Sequence, residues 1–165
     1  LPFTPAQQLQ MLRTLSHASG AAGMCGGQAI DCDSVGHILD LSELQQMHSL
    51  KTGALMRAAI LLGAYAAHAD EATLQQLDIY AQKIGLAFQV VDDILDTEAD
   101  SATLGKTAGK DAAQNKPTYV SLLGLSEAKQ WAHTLLKQAH EALDSIQQPC
   151  LRLHQLADFI VMRTY

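Results

Sequence analysis

Leu74, Leu77, Ala81, Ile84, Phe88, Val91 and Leu95 recur in steps of 3, 4, 3, 4, 3 and 4. A helix turns once every 3.6 residues, so this rhythm lays the seven apolar side chains along one face of a single long helix. Carried to about Thr97, that helix is roughly 40 Å long at 1.5 Å per residue. A second stripe with the same rhythm joins Gln82, Gly85, Gln89, Asp92 and Asp96, and Leu86, Val90 and Ile94 fill other faces. Near its end such a helix is apolar almost all round except for one acidic strip. It belongs in the interior of a bundle, with its acids facing a cavity rather than bulk water.

The strip has a chemical consequence. Asp92 and Asp96 are i, i+4 neighbours and Asp93 and Asp96 are i, i+3 neighbours, so the three carboxylates share one face. Like charges that close repel, and more so where water is scarce. A hard divalent cation offsets the repulsion, and Mg²⁺ favours carboxylate oxygens together with substrate phosphates. Between Glu98 and Pro117 the helical pattern breaks, and the stretch holds Lys106, Lys110 and Lys116. A loop of this length in a compact domain is usually functional or disordered. Three lysines just after three aspartates suggest a lid over a metal-bound anion such as a diphosphate.

Other helices have their own signals. Thr4-Pro5 reads as a cap and first residue for a helix to about Ser19. Gly20, Gly23, Gly26 and Gly27 then serve close helix packing or a kink, since no strand precedes them to make a dinucleotide fingerprint. Asp40 and Glu43 form a capping box for a helix running to about Ala67. Asp70 caps the long helix, Thr118 to Leu125 is a short one, Ser126 caps another to about Gln147, and the last covers about Leu151 to Arg163. In the helix after Ser126, the residues Ala128, Ala132, Leu135, Leu136, Ala139 and Leu143 face inward. No strand pattern appears, and the fold class is all-α.

Composition narrows the function. With 48% hydrophobic and 17% charged residues over 165 positions, this is one globular domain. A net charge of −6 argues against binding nucleic acid through a basic surface. No apolar run reaches the ~18 residues of a membrane span. Cys25, Cys32 and Cys150 are odd in number and form no CxxC, which suits free thiols and a cytoplasmic location. Lys51 and Thr52 stand beside Gly53 in mid-helix, Lys51 as a snorkelling surface lysine or an anion contact. Gln89 is a satisfied buried amide or a holder of the neighbouring acids. His48 reads as incidental, and the seven histidines show no HxxxH metal spacing.

Taken in order, several segments resemble the trans-prenyl diphosphate synthases, which have the class I isoprenoid synthase fold. They are Met24-Cys25-Gly26-Gly27-Gln28-Ala29-Ile30-Asp31, Lys51-Thr52-Gly53-Ala54-Leu55, and Gly85 to Asp96 with its Asp92-Asp93-Ile94-Leu95-Asp96 core. Leu104-Gly105-Lys106-Thr107-Ala108-Gly109-Lys110-Asp111, Lys116-Pro117-Thr118-Tyr119 and Leu122-Leu123-Gly124-Leu125 complete the set. The resemblance covers nearly the whole chain and looks most like farnesyl or geranylgeranyl diphosphate synthases. It implies that Asp92, Asp93 and Asp96 are the second aspartate-rich motif and bind Mg²⁺. It implies that Lys51, Lys106 and Lys116 hold the allylic diphosphate, and that Thr52 and Gln89 lie near the forming cation. The implied reaction condenses isopentenyl diphosphate with an allylic diphosphate, in an enzyme that is a homodimer when intact.

One departure is large. The family uses two aspartate-rich motifs, and this sequence has one, since Asp31 and Asp33 do not make another. The family's paired arginines for isopentenyl diphosphate are missing too. With a first residue other than Met, residues 1–165 are expected to be the C-terminal half of one isoprenoid synthase domain, inactive alone. A non-catalytic subunit of a heteromeric synthase is the main alternative. A terpene cyclase is disfavoured by the lysine pattern from Leu104 to Tyr119, and a ferritin-type di-metal bundle by the lack of paired Glu-x-x-His.

Overall fold

The structure, a computed structural model, describes residues 3–37, 39–102 and 117–164. Its elements in order are α1 (Pro5–Ser19), α2 (Met24–Asp33), α3 (Leu41–His48), a π-helical turn (Ser49–Gly53), α4 (Ala54–Ala66), α5 (Glu71–Ala102), α6 (Tyr119–Leu123), α7 (Leu125–Asp144) and α8 (Leu151–Met162). Among the described residues there is no strand, as the periodicity predicts. No described helix is long and apolar enough to cross a membrane, and the three cysteines are free thiols.

The predicted caps form. Thr4 and Gln7 exchange side-chain and backbone hydrogen bonds at the start of α1. Asp40 accepts from the Glu43 amide at 2.9 Å while Glu43 accepts from the Asp40 amide at 2.8 Å. Asp70 accepts from the Thr73 amide at 2.8 Å and so opens α5. One expectation is corrected: α7 begins at Leu125 and not after a Ser126 cap, and it ends at Asp144 rather than Gln147. Gly124 is the reason. Its φ of +82° ends α6 and lets the next helix start at once, a conformation that suits a residue without Cβ.

Helix α5 runs through the middle of the bundle, with α7 along it and α4, α6 and α8 against its other sides. Tyr80, Ala81, Ile84, Ala87, Val90, Val91 and Ile94 are buried. At 100° per residue these positions cover about half of the circumference, so α5 is buried on one broad face rather than almost all round. All six inward positions expected of α7 are buried, and Ala142 joins them. The many alanines on that face bring the α5 and α7 backbones close. Tyr80 lies in the core yet keeps its hydroxyl satisfied by donating to the Leu153 carbonyl at 2.9 Å.

Candidate functional site

Gln89, Asp92 and Asp93 project from α5 into a cleft of about 160 Å³, and Asp31, His48 and Lys51 face them across it. The cleft therefore unites four residues singled out by sequence, Lys51, Gln89, Asp92 and Asp93, with two that were not. Asp96 departs from the cavity-facing strip: it is exposed and does not line the cleft. It stands one turn farther along α5, beyond the residues that wall the cleft. Thr52 is half-buried beside Lys51 but does not line the cleft either. Lys106 and Lys116 lie outside the described residues.

The helix expected from Asp40 to Ala67 has the right extent but is interrupted by the π turn that carries Lys51. A π turn adds a residue to the helical ring, shifts the register of the next turns, and is often found at functional sites. Two glycines seat this one. A Cβ on Gly27 would lie 2.2 Å from the Lys51 nitrogen and 2.6 Å from its Cα. On the opposite side, a Cβ on Gly85 of α5 would lie 3.3 Å from the Gly53 Cα. The glycine-rich patch thus serves close packing, and its neighbour is the backbone that presents Lys51.

Lys51 Nζ donates to Asp31 Oδ2 at 2.7 Å, with the Asp31 side chain 12% exposed and that of Lys51 35%. The ammonium is held toward the cleft, with an edge left for an anion. His48 is not incidental. Its ring lies 5.4 Å from that of Tyr119, and its Nδ1 is buried without a hydrogen-bond partner. Burial, and then the positive charge of Lys51, push its pKa down from 6.5 to about 4. The Tyr119 hydroxyl is pushed up, first by burial and then by Asp93. Both rings are therefore neutral near pH 7.

The His48 shift has a sign that can be checked. As pH falls through 6.5 the unfolded chain takes up a proton that the folded ring refuses until about 4, so stability falls across that window. Converted at about 1.4 kcal/mol per pH unit, the loss across the whole window is on the order of 3–4 kcal/mol. Urea unfolding of the metal-free protein at pH 7 and pH 4.5 should show His48→Gln losing less stability on acidification than the wild type. Equal losses would remove His48 as the cause.

Asp92 and Asp93 are held by different neighbours. Asp92 Oδ1 accepts from an Arg163 guanidinium nitrogen at 3.0 Å. The same guanidinium lies over the Phe88 ring at 4.4 Å, a cation–π contact. Asp93 Oδ2 accepts from the Tyr119 amide at 2.7 Å, at the start of α6. Sequence reasoning missed Arg163 and Asp31. No local pattern marks a partner 71 positions from Asp92, or one 20 positions from Lys51.

Among the described residues no group of three or more His, Cys, Asp or Glu side chains converges to hold a metal. The α5 wall of the cleft nevertheless suits Mg²⁺: it offers oxygen donors from two carboxylates and an amide, with room left for water and phosphate oxygens. Arg163 is the rival cation on Asp92. The Asp92 side chain is 51% exposed, so the pair is worth at most about 1 kcal/mol. Arg163→Ala is accordingly expected to tighten binding of Mn²⁺, an oxygen-seeking ion visible by electron paramagnetic resonance, by about two- to fivefold. Unchanged or weaker binding would show that Arg163 does not compete.

Comparison with known proteins places this geometry in a family. The polyprenyl synthetase family model matches residues 3–152. The chain is 47% identical over 160 residues to farnesyl diphosphate synthase of Escherichia coli K12, covering 94% of this chain and 54% of that enzyme. It is 39% identical over 164 residues to the chloroplastic geranylgeranyl pyrophosphate synthase 7 of Arabidopsis thaliana, covering 97% and 47% respectively. Among solved structures it superposes on Helicobacter pylori geranyltransferase, complexed with magnesium and isoprenyl diphosphate, with a TM-score of 0.76 and 33% identity over 98% of this chain and 52% of that one. The chain thus spans about half the length of the curated relatives it matches.

Proposed function

This chain belongs to the polyprenyl synthetase family and has the all-α class I isoprenoid synthase fold, and we propose from that premise that its cleft binds the diphosphate of an allylic substrate. The observation that carries the proposal is the joining of Lys51, Gln89, Asp92 and Asp93 in one cleft. A lysine facing two carboxylates suits an anion held jointly by an ammonium and a divalent cation. Asp92 and Asp93, with Asp96 one turn farther along α5, would hold Mg²⁺. The ion supplies neutralisation of the charge that grows on the diphosphate as it leaves.

The chain's own residues then have distinct tasks. Lys51, fixed by Asp31 and the π turn, places a positive charge where the leaving diphosphate gathers negative charge, at no cost in reorganisation. Lys106 and Lys116 add to it. Gln89 orients the carboxylates one turn along α5, and Thr52 lies near the forming cation. The allylic C–O bond breaks and diphosphate leaves with the electron pair. The double bond of isopentenyl diphosphate attacks the cation, and a proton is lost from the adduct. The product is farnesyl diphosphate in this reading, with geranylgeranyl diphosphate as the alternative.

Residues 1–165 would act as the C-terminal part of one synthase domain, in a cytoplasmic homodimer. The exposed Leu9, Leu12 and Leu15 of α1 support a need for further packing. The sequence has only one aspartate-rich motif, so the chain alone is expected to bind inorganic pyrophosphate with Mg²⁺ but to make no prenyl product. A radiolabelled isopentenyl incorporation assay checks the second half, and robust turnover would sink it. Calorimetric titration with pyrophosphate checks the first, and the absence of Mg²⁺-dependent heat would sink the assigned site. A non-catalytic subunit would bind no diphosphate in the same titration.

A further inference from the structure

Helices α7 and α8 each carry a histidine followed four residues later by an aspartate: His140 and Asp144 on one, His154 and Asp158 on the other. The pairs engage crosswise. His140 Nε2 lies 2.9 Å from Asp158 Oδ1, and His154 Nε2 lies 3.5 Å from Asp144 Oδ1. The two Nδ1 atoms face each other at 2.6 Å. The ring planes differ by 16° and the centroids are 4.9 Å apart. That separation equals the Nδ1 distance plus a ring radius on each side, so the rings meet edge to edge rather than face to face. The Nδ1 lone pairs lie in the ring planes and point at one another.

An ionised carboxylate only accepts hydrogen bonds, so His140 Nε2, 2.9 Å from Asp158 Oδ1, carries its hydrogen. A neutral imidazole has a single N–H, so His140 Nδ1 is an acceptor, and the 2.6 Å contact is a hydrogen bond donated by His154 Nδ1. Asp144, 3.5 Å from His154 Nε2, is too far for a hydrogen bond. In the other His154 tautomer the hydrogen sits on Nε2, toward Asp144, and both Nδ1 atoms become acceptors with two carboxylates behind them, the pair of donors a metal ion takes.

We propose that His140 and His154 form a binding site for a borderline transition-metal ion, bound through both Nδ1 atoms and buttressed by Asp158 and Asp144. A carboxylate on the remote nitrogen is the usual support of a metal-bound histidine, because it fixes the tautomer and raises the basicity of the ligating nitrogen. Imidazole ligands suit Cu²⁺, Ni²⁺ and Zn²⁺, with Cu²⁺ held most tightly, whereas Mg²⁺ prefers oxygen. The site is therefore chemically separate from the aspartate cleft. No three such side chains converge among the described residues, so two protein ligands bind the ion and water completes its shell. With the lone pairs facing each other, metal–nitrogen bonds of about 2.0–2.1 Å require the Nδ1 atoms to part by about 1.5 Å, or the rings to turn until both lone pairs converge on the ion. The side chains are 26% and 27% exposed, which gives them room to turn. The bound ion would tie α7 to α8, the helix whose end places Arg163 on Asp92.

The test is Cu²⁺ titration of the tag-free protein under millimolar Mg²⁺, followed by electron paramagnetic resonance and calorimetry. The expected result is one tight Cu²⁺ per chain with coupling to two nitrogens. Either His140→Ala or His154→Ala should remove one coupling and weaken binding at least about tenfold, and Asp158→Asn should weaken it about tenfold while keeping both couplings. Zn²⁺ should raise the melting temperature of the wild type and not of the double histidine variant. Circular dichroism establishes that each variant retains its helices. A wild type that binds no Cu²⁺ would leave the contact as an Nδ1–H···Nδ1 hydrogen bond alone and overturn the proposal. So would a double variant with the wild-type spectrum, since the metal would then sit on other histidines.

Discussion

Replacing Asp92 and Asp93 together by asparagine is expected to abolish Mg²⁺-dependent binding of inorganic pyrophosphate. Loss of an outer partner of a metal ligand typically costs about 10–100-fold, so loss of two proposed ligands should cost at least about 100-fold. The substitutions keep shape and remove charge. After Asp93→Asn the new amide oxygen can still accept from the Tyr119 amide, as the Asp93 carboxylate now does at 2.7 Å. Asp92→Asn gives up the charge pairing with Arg163, which is worth at most about 1 kcal/mol at so exposed a carboxylate. Removing two adjacent like charges offsets part of that. The variant should therefore melt within a few degrees of the wild type while its titration shows no Mg²⁺-dependent heat. Binding that stays within threefold of wild type would show that these carboxylates do not hold the cation.

Gly27→Ala is expected to lower stability and weaken the site together, by the addition of a single methyl group. The new Cβ would meet backbone, not a flexible side chain: the Lys51 nitrogen at 2.2 Å, its Cα at 2.6 Å and the Leu50 carbonyl carbon at 2.8 Å. Backbone cannot swing aside as a rotamer can. Either α2 moves off the π turn or the turn rewinds, and both disturb the Lys51–Asp31 pair, which joins the same two elements. Overpacking in well-packed interiors typically costs about 1–3 kcal/mol, and a clash with backbone belongs at or above the upper end. The urea midpoint should fall accordingly, and the surviving folded protein should bind pyrophosphate at least about tenfold more weakly, as Lys51 loses its support. Gly63→Ala is the control, because a Cβ there meets nothing within 4 Å. Similar behaviour of the two variants would remove the close approach as a determinant of the site.

Much of this protein could be read along the chain because much of it is local. Thr4, Asp40 and Asp70 cap helices through amides three residues away, and α5 and α7 display their apolar stripes at helical spacing. Asp92 and Asp93 stood out because they interrupt such a stripe. The π turn was not legible, since Ser49 to Gly53 contains nothing that a regular helix would refuse. It depends on α2 and α5 pressing Gly27 and Gly85 against it from two sides.

What the sequence by itself determined is where most helices start, which faces are apolar, and that Asp92 and Asp93 stand together on one helix face. These follow from hydrogen bonds and periodicities that span a few residues. Only the tertiary structure decided the partners. Asp31 joined Lys51, Arg163 took Asp92, Asp96 was left outside the cleft, His48 was drawn in as a neutral ring, and two histidines fourteen positions apart came edge to edge. Each of these pairings depends on how whole helices pack, and helix packing is settled by buried surfaces contributed from distant parts of the chain, which no local spacing records.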